Sequence, residues 1–158
     1  MPDPTYRPAA RVIVLDPDDR VLLLRVQNVS KKPLWITPGG GIDRGETPED
    51  CARREMWEET GIRAELGPCV WVRRHVFEFQ GRMLDEVERF FVVRLPDTPD
   101  ISRDNWLPHE HEFLAEHRWW SVEEIARSQD YFAPRRLAEL LPAVLAGTHA
   151  DEPIDCGV

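Results

Sequence analysis

The chain lacks any apolar run approaching the roughly 18 residues needed to cross a bilayer, which argues against a helical membrane protein. Cysteine is scarce and odd in number. Cys51, Cys69 and Cys156 show no metal-site spacing and form no disulfide framework, so the expected compartment is a reducing cytoplasm. The first ten residues carry prolines and charges where a secretory leader needs a hydrophobic stretch. Positive charge is short as well. A formal net charge of −9 offers no basic stripe for a nucleic-acid polymer, although a small phosphorylated substrate brought in with cations is compatible with it. No internal repeat is visible. What remains is ordinary globular material, 42% hydrophobic and 31% charged, and its 158 residues suit one domain with one core.

The organising stretch is Gly40–Ile62, GGIDRGETPEDCARREMWEETGI. It opens as a glycine turn and continues as an acidic helix. Thr47 suits the N-cap, Pro48 the first turn, and Asp50 the acid of a capping box. Gly61 suits a left-handed stop, so the spacing predicts a helix over Pro48–Thr60. On it Glu55, Glu58 and Glu59 fall within one arc of about 100°. Three like charges on one face cost helix stability, and their simplest use is to hold a hard divalent cation. The bland alternative is a solvated acidic face with Arg54 as a surface partner. Met56 and Ala52 are expected to pack inward, and Trp57 points nearly opposite the carboxylates.

The same residues resemble the Nudix box, G-x5-E-x7-R-E-U-x-E-E-x-G-U with U aliphatic. The match runs through Gly40, Glu46, Arg54, Glu55, Met56, Glu58, Glu59, Gly61 and Ile62, and seven of these are fixed identities. A chance match at one starting point has odds on the order of one in 10⁹. The resemblance implies an α/β/α sandwich with a mixed sheet. It also implies hydrolysis of a pyrophosphate bond in a nucleoside diphosphate joined to another group, with Mg²⁺ or Mn²⁺. By the same resemblance Glu58 and Glu59 are principal metal ligands, Glu55 is a further ligand or a water orienter, and the Gly40 carbonyl also coordinates. Glu46 and Arg54 brace the loop against the helix. In several branches of the family the base is a glutamate in a late loop. Glu110, Glu112 and Glu116 occupy that region, with Glu112 and then Glu116 favoured; His109, His111 and His117 are secondary candidates.

Around the box, residues 1–10 read as a loose arm, 11–148 as the domain and 149–158 as a frayed tail. Arg11–Leu15 and Val21–Arg25 form a hairpin about Pro17–Asp19, and Leu34–Thr37 a short strand into the glycines. Cys69–Phe79 and Val87–Leu95 pair antiparallel around Gln80–Gly81. Asp97–His117 shows no dominant period, as expected of a functional or disordered loop. Trp119–Trp120 restores a strand, Ser121–Glu124 is a capping box, and Phe132–Ala146 is a closing helix that Pro142 bends.

For the substrate, Trp35 and Trp106 are candidate stacking surfaces, with Gly39 and Gly40 beneath the phosphates. Trp119 and Trp120 are candidates for core or sheet edge. Arg25, Arg73 and Arg74 are candidate phosphate clamps, and Lys31 and Lys32 are read as solvated, with phosphate contact as the alternative. A nucleoside triphosphate ranks first as substrate, and ADP-ribose or a nucleotide sugar second. Dinucleoside polyphosphate hydrolysis and a non-catalytic nucleotide-binding module stand as alternatives. Homodimerisation is compatible with the chain and leaves no mark in it.

Overall fold

The computed structural model describes residues 3–27 and 31–158, and of Glu112 and Phe113 the main chain alone. Among the described residues nine strands form one curled mixed sheet: β1 Thr5–Leu15, β2 Val21–Val26, β3 Leu34–Ile36, β4 Gly39–Gly41, β5 Cys69–Phe79, β6 Arg82–Arg94, β7 Leu114–Trp120, β8 Tyr131–Ala133 and β9 Ile154–Asp155. The main path runs β8-β3-β2-β1-β6-β5-β9, with β4 paired to β1 and β7 to β2. The helices are α1 Pro48–Thr60, α2 Pro108–Phe113, α3 Val122–Arg127 and α4 Leu137–Leu145.

Alternation along β1 explains the layers. Ala10, Val12 and Val14 face Cys51, Ala52 and Met56 of α1 in one buried cluster. Ile13 and Leu15 face Leu137, Leu141 and Val144 of α4 in another. Strands with apolar residues on both faces need cover on both sides, and the two helices supply it. None of the described helices is long and apolar enough to cross a membrane.

Local signals place α1 at its expected bounds. The Thr47 hydroxyl accepts from the Asp50 N–H at 3.1 Å, and Gly61 closes the helix at φ 75°. The β5–β6 turn has positive φ at both Gln80 and Gly81, a hairpin geometry that lets β6 begin at Arg82, five residues before the expected start. Other boundaries differ because partners far along the chain set them. The segment from Thr5, expected in a loose arm, pairs parallel with β6 along its whole length, and Ala9 and Ala10 are buried. In the tail Ile154–Asp155 pairs parallel with β5, and Cys156 is buried among the α4 contacts. The long polar segment holds α2 and most of β7. The closing helix begins only at Leu137, because Tyr131–Ala133 is drawn into pairing with β3 ahead of Pro134. Ser121 and Glu124 form the expected capping box on α3.

Between β1 and β2 the buried Asp16 carboxylate accepts from the N–H groups of Asp18 and Arg20, from Arg20 Nε and from the Thr98 hydroxyl. Burial pushes its pKa up, but the Arg20 backbone, Thr98 and Arg20 side-chain bonds outweigh that and leave it below 3.8. A lowered acid confers stability above its unfolded pKa and loses it as pH falls through the folded value. Asp16→Ala is therefore expected to cost about 1–3 kcal/mol at pH 7. The gap to the parent chain should narrow below about pH 4, as read by thermal unfolding at both pH values; a gap that persists in acid contradicts this account.

Candidate active site

The glycine turn of β4 and the acidic face of α1 meet at close range. The Gly39 N–H donates to Glu59 Oε1 at 3.0 Å, and the Glu59 side chain is buried. Trp106 supports the helix from behind, its indole N–H donating to the Glu59 carbonyl at 2.6 Å. The Glu55 carboxylate lies against the Gly40 α-carbon, where a Cβ would come within 2.5 Å of Oε1. Glu110 arrives from α2, held by the Leu107 N–H at 2.9 Å. One carboxylate oxygen from each of Glu55, Glu59 and Glu110 lies within 4.8 Å of the others.

This convergence carries an electrostatic cost. Burial, then the neighbouring Glu55 and Glu110, push the Glu59 pKa well above 4.5, with Arg11 opposing in part. Burial first, then Glu55 and Glu58, raise Glu110 against the Leu107 hydrogen bond. Burial and Glu55 raise Glu58 despite Arg54. Three partly desolvated carboxylates within reach of one point form a hard oxygen donor set, which suits a divalent cation.

Arg54 braces the surroundings. Its Nε and Nη2 grip the two Glu46 oxygens at 2.8 and 3.0 Å. Its Nη1 reaches Glu55 at 3.1 Å and Glu58 at 3.2 Å, and Nη2 reaches the Gly41 carbonyl at 3.1 Å. Hydrogen bonding to Arg54 holds Glu46 below its usual range and, reciprocally, raises Arg54. A cavity of about 380 Å³ opens over this group, lined by Arg7, Asp43, Arg54, Glu55, Glu58 and His109 among others.

The structure brings Gly39, Gly40, Glu46, Arg54, Glu55, Glu58 and Glu59 together. Glu58 turns toward Arg54 and stands outside the three-carboxylate group, and the Gly40 carbonyl accepts from the Cys51 thiol at 3.4 Å. Glu116 is elsewhere. It pairs with Arg25 at 2.7 Å on β7–β2, half exposed, on the face that carries Trp120 rather than α1. The side chain of Glu112 lies outside the described residues, while Glu110, ranked behind it from sequence, joins the cluster. Trp35 is core, T-stacked on Trp120 with its indole N–H donating to Asp130, and so is no stacking surface for a base. Trp106 is also buried, though it borders the site. Arg73 is buried against Glu88, and Arg74 pairs with Asp85. His111 tilts against Trp106, and Lys32 lies over the Tyr131 ring at 5.7 Å. Arg63 covers Trp57 at 4.8 Å.

Sequence reasoning passed over Arg7, Arg11 and Glu88. Arg7 borders the cavity and pairs with Glu86 at 2.8 Å. Arg11 pairs with Glu88 and donates to the Thr37 carbonyl at 2.9 Å, two residues ahead of Gly39. The available signal was alternation: in β1 and β6 these charges fall on the positions that elsewhere in the same strands are apolar.

Gly40→Ala tests the close approach. The clash falls on the movable end of Glu55, so the variant should fold, with Tm within about 4 °C of the parent. Displacing that carboxylate by about 1 Å should lower kcat/KM on the order of 10²-fold. Unchanged turnover would remove the Gly40–Glu55 contact from the site's requirements.

A mixed sheet between helices, with a glycine turn set over an acidic, arginine-braced helix, is the arrangement expected of a pyrophosphohydrolase. The NUDIX domain matches over residues 5–143, and the chain belongs to the Nudix family. An RNA pyrophosphohydrolase of Cereibacter sphaeroides (strain ATCC 17029) is 44% identical over 135 residues, covering 76% of this chain and 78% of that one. A putative 8-oxo-dGTP diphosphatase of Bacillus subtilis is 41% identical over 86 residues, covering 54% and 52%. Among solved structures, the MutT protein of Methanosarcina mazei superposes with a TM-score of 0.68 at 21% identity, over 92% of this chain and 99% of that one. That likeness bears on the fold, which is the α/β/α sandwich expected. Nudix hydrolases act on nucleotide substrates with divalent cations, and the glutamate cluster here fits such an ion.

Proposed function

We propose that this hydrolase cleaves the pyrophosphate linkage of a nucleoside triphosphate, with Mg²⁺ or Mn²⁺ held by Glu59, Glu55 and Glu110. The observation that carries the reading is the meeting of those three carboxylates beneath the glycine turn. When bound, such an ion neutralises phosphate charge and lowers the pKa of a water. The chain supplies the rest. The glycine turn lets the polyphosphate approach the main chain, and Arg7 at the rim offers a cationic fork to a phosphate oxygen. Glu58, raised by burial and Glu55, is suited to accept a proton from the attacking water. Arg54 fixes Glu55 and Glu58 relative to the turn.

A second reading is a triphosphate at the 5′ end of an RNA. It is favoured by the similarity, over most of both chains, to a protein named as an RNA pyrophosphohydrolase. The net charge of −9 disfavours tracking a long polymer but leaves capture of its end open. The test is phosphate and pyrophosphate release with Mg²⁺ or Mn²⁺ from nucleoside triphosphates, 5′-triphosphorylated RNA, ADP-ribose, a nucleotide sugar and a dinucleoside polyphosphate. The highest kcat/KM is expected on a triphosphate. A higher value on ADP-ribose or a nucleotide sugar overturns the substrate assignment, and no turnover on any of them favours the binding-module alternative.

A further inference from the structure

β5 runs along the open side of the sheet. β9 covers it only at Trp71 and Val72, and among the described residues no strand lies beside 73–79 on that side. The Cys156 N–H donates to the Val72 carbonyl at 3.0 Å, so Val72 turns its main-chain groups outward. That direction alternates from residue to residue beside an antiparallel partner. The N–H and C=O groups of Arg74, Val76 and Glu78 therefore face outward as well, and all three residues are exposed. Val76 is 46% exposed, and Tyr6 and Met83 stand exposed on the same face through the cross-strand pairs Tyr6–Asp85–Val76 and Met83–Glu78. Edges of this kind are usually blunted by proline, lysine or a bulge, and 73–79 has none of these. Its two exposed charges, Arg74 and Glu78, flank Val76 symmetrically and are opposite in sign. Arg74 grips Asp85 through Nε and Nη2, both at 2.8 Å, which leaves the Nη1 donors over. Glu78 makes no ion pair among the described residues.

We propose that β5 pairs edge to edge with β5 of a second copy of this chain, antiparallel about a twofold axis at Val76. The sheet then runs unbroken through both subunits. Two separate features choose that axis. The free edge lies between the last β9 partner, Val72, and the turn at Gln80, and its midpoint is Val76. Charge chooses the same point, because Arg74 then faces Glu78 of the partner subunit, and Glu78 faces the partner's Arg74. Moving the axis by one residue parts these charges and drives the seam into β9 or past the turn. In the Val76 register the two valines meet at the axis, and each outward-facing pair exchanges two main-chain hydrogen bonds. On the opposite face His75 and Phe77 stack at 4.8 Å within one chain. Across the seam His75 opposes Phe77 of the partner subunit at a closely spaced, non-hydrogen-bonded pair, so the rings form one aromatic row. The site of hydrolysis plays no part in this contact.

Sedimentation velocity reads the assembly. The parent should sediment as a species of twice 18.3 kDa at a protein concentration of about 100 μM. Arg74→Glu and Glu78→Arg each set like charges across the axis, and each should weaken the dimer by about tenfold or more. Both positions are exposed, so both variants should fold. Mixed in equal amounts, the two variants should associate about as tightly as the parent, because opposite charges then meet at both ends of the seam. Amide exchange followed by NMR on the parent supplies a test that needs no variant. The N–H groups of Arg74, Val76 and Glu78 should gain protection as concentration rises, while those of Arg73, His75 and Phe77, turned toward β6, should not change. A parent that stays monomeric to about 1 mM overturns the proposal. So does a dimer indifferent to both single variants, a mixture that fails to recover, or a Val76 N–H that exchanges freely in the dimer.

Discussion

Glu59→Gln lowers kcat/KM by at least about 10²-fold while raising the thermal stability of the metal-free protein at alkaline pH. The substitution keeps the shape of the side chain and removes the charge that faces Glu55 and Glu110. A cation bridging the cluster loses one hard anionic donor, so activity falls, and the metal concentration for half-maximal rate should rise. The stability change has the opposite sign for a reason that follows from burial. The folded pKa of Glu59 is raised well above 4.5 by burial and then by Glu55. An acid with a raised folded pKa confers stability below its unfolded pKa and loses it as pH rises through the folded one. The glutamine variant has no proton to lose there. Melting curves in chelator at pH 5 and pH 8, beside initial rates over a metal titration, read both effects. Near-parent activity would take Glu59 out of the metal site, and a less stable variant at pH 8 would contradict the account of the cluster's repulsion.

Glu88→Ala has the largest expected effect on stability. Glu88 is wholly buried between the guanidinium groups of Arg11 and Arg73. Burial raises its pKa, but the two arginines outweigh that and hold it low. Deleting the carboxylate leaves the buried Arg73 guanidinium without its acid and Arg11 with only the more distant Glu86 at 3.9 Å. Breaking such a group from one side costs about 3–5 kcal/mol, against a total of about 5–15 kcal/mol for a domain of ordinary stability. A fall in Tm of about 10 °C follows at this chain length. Glu88→Gln, which keeps an acceptor for one arginine, should lose less. Thermal unfolding of the three proteins decides it. An alanine variant within about 1 kcal/mol of the parent would mean that water enters and solvates the arginines.

Legibility in the sequence followed the range of the interaction that fixes each element. The bounds of α1 are set by groups a few residues apart, Thr47 with Asp50 and Trp57 with Gly61, and could be read directly. The onset of β1 could not, because Pro4 and Pro8 argue for a loop until a parallel partner some 80 residues away is known. The late glutamates show the same limit. Between Arg25 and Val26 the β2–β7 register slips, so that Glu116 opposes Arg25 while Leu114 opposes Val26. That bulge breaks the alternation that would have put Glu116 on the face of Leu114, beside Trp106 and the carboxylates. Glu110 takes the place instead, from a short helix that a polar, proline-interrupted segment does not announce. Trp35 was legible as an aromatic beside the glycines and Trp106 as one in the long polar loop, but burial assigns both to the protein's own support.

One guanidinium, that of Arg54, touches Glu46 in the loop, Glu55 and Glu58 on the helix and the Gly41 carbonyl in the sheet. Loop, helix and sheet are thereby clamped into one stiff frame before any ligand arrives. A nucleotide docking there meets groups already aimed, and so less of its binding energy is consumed in freezing the receptor.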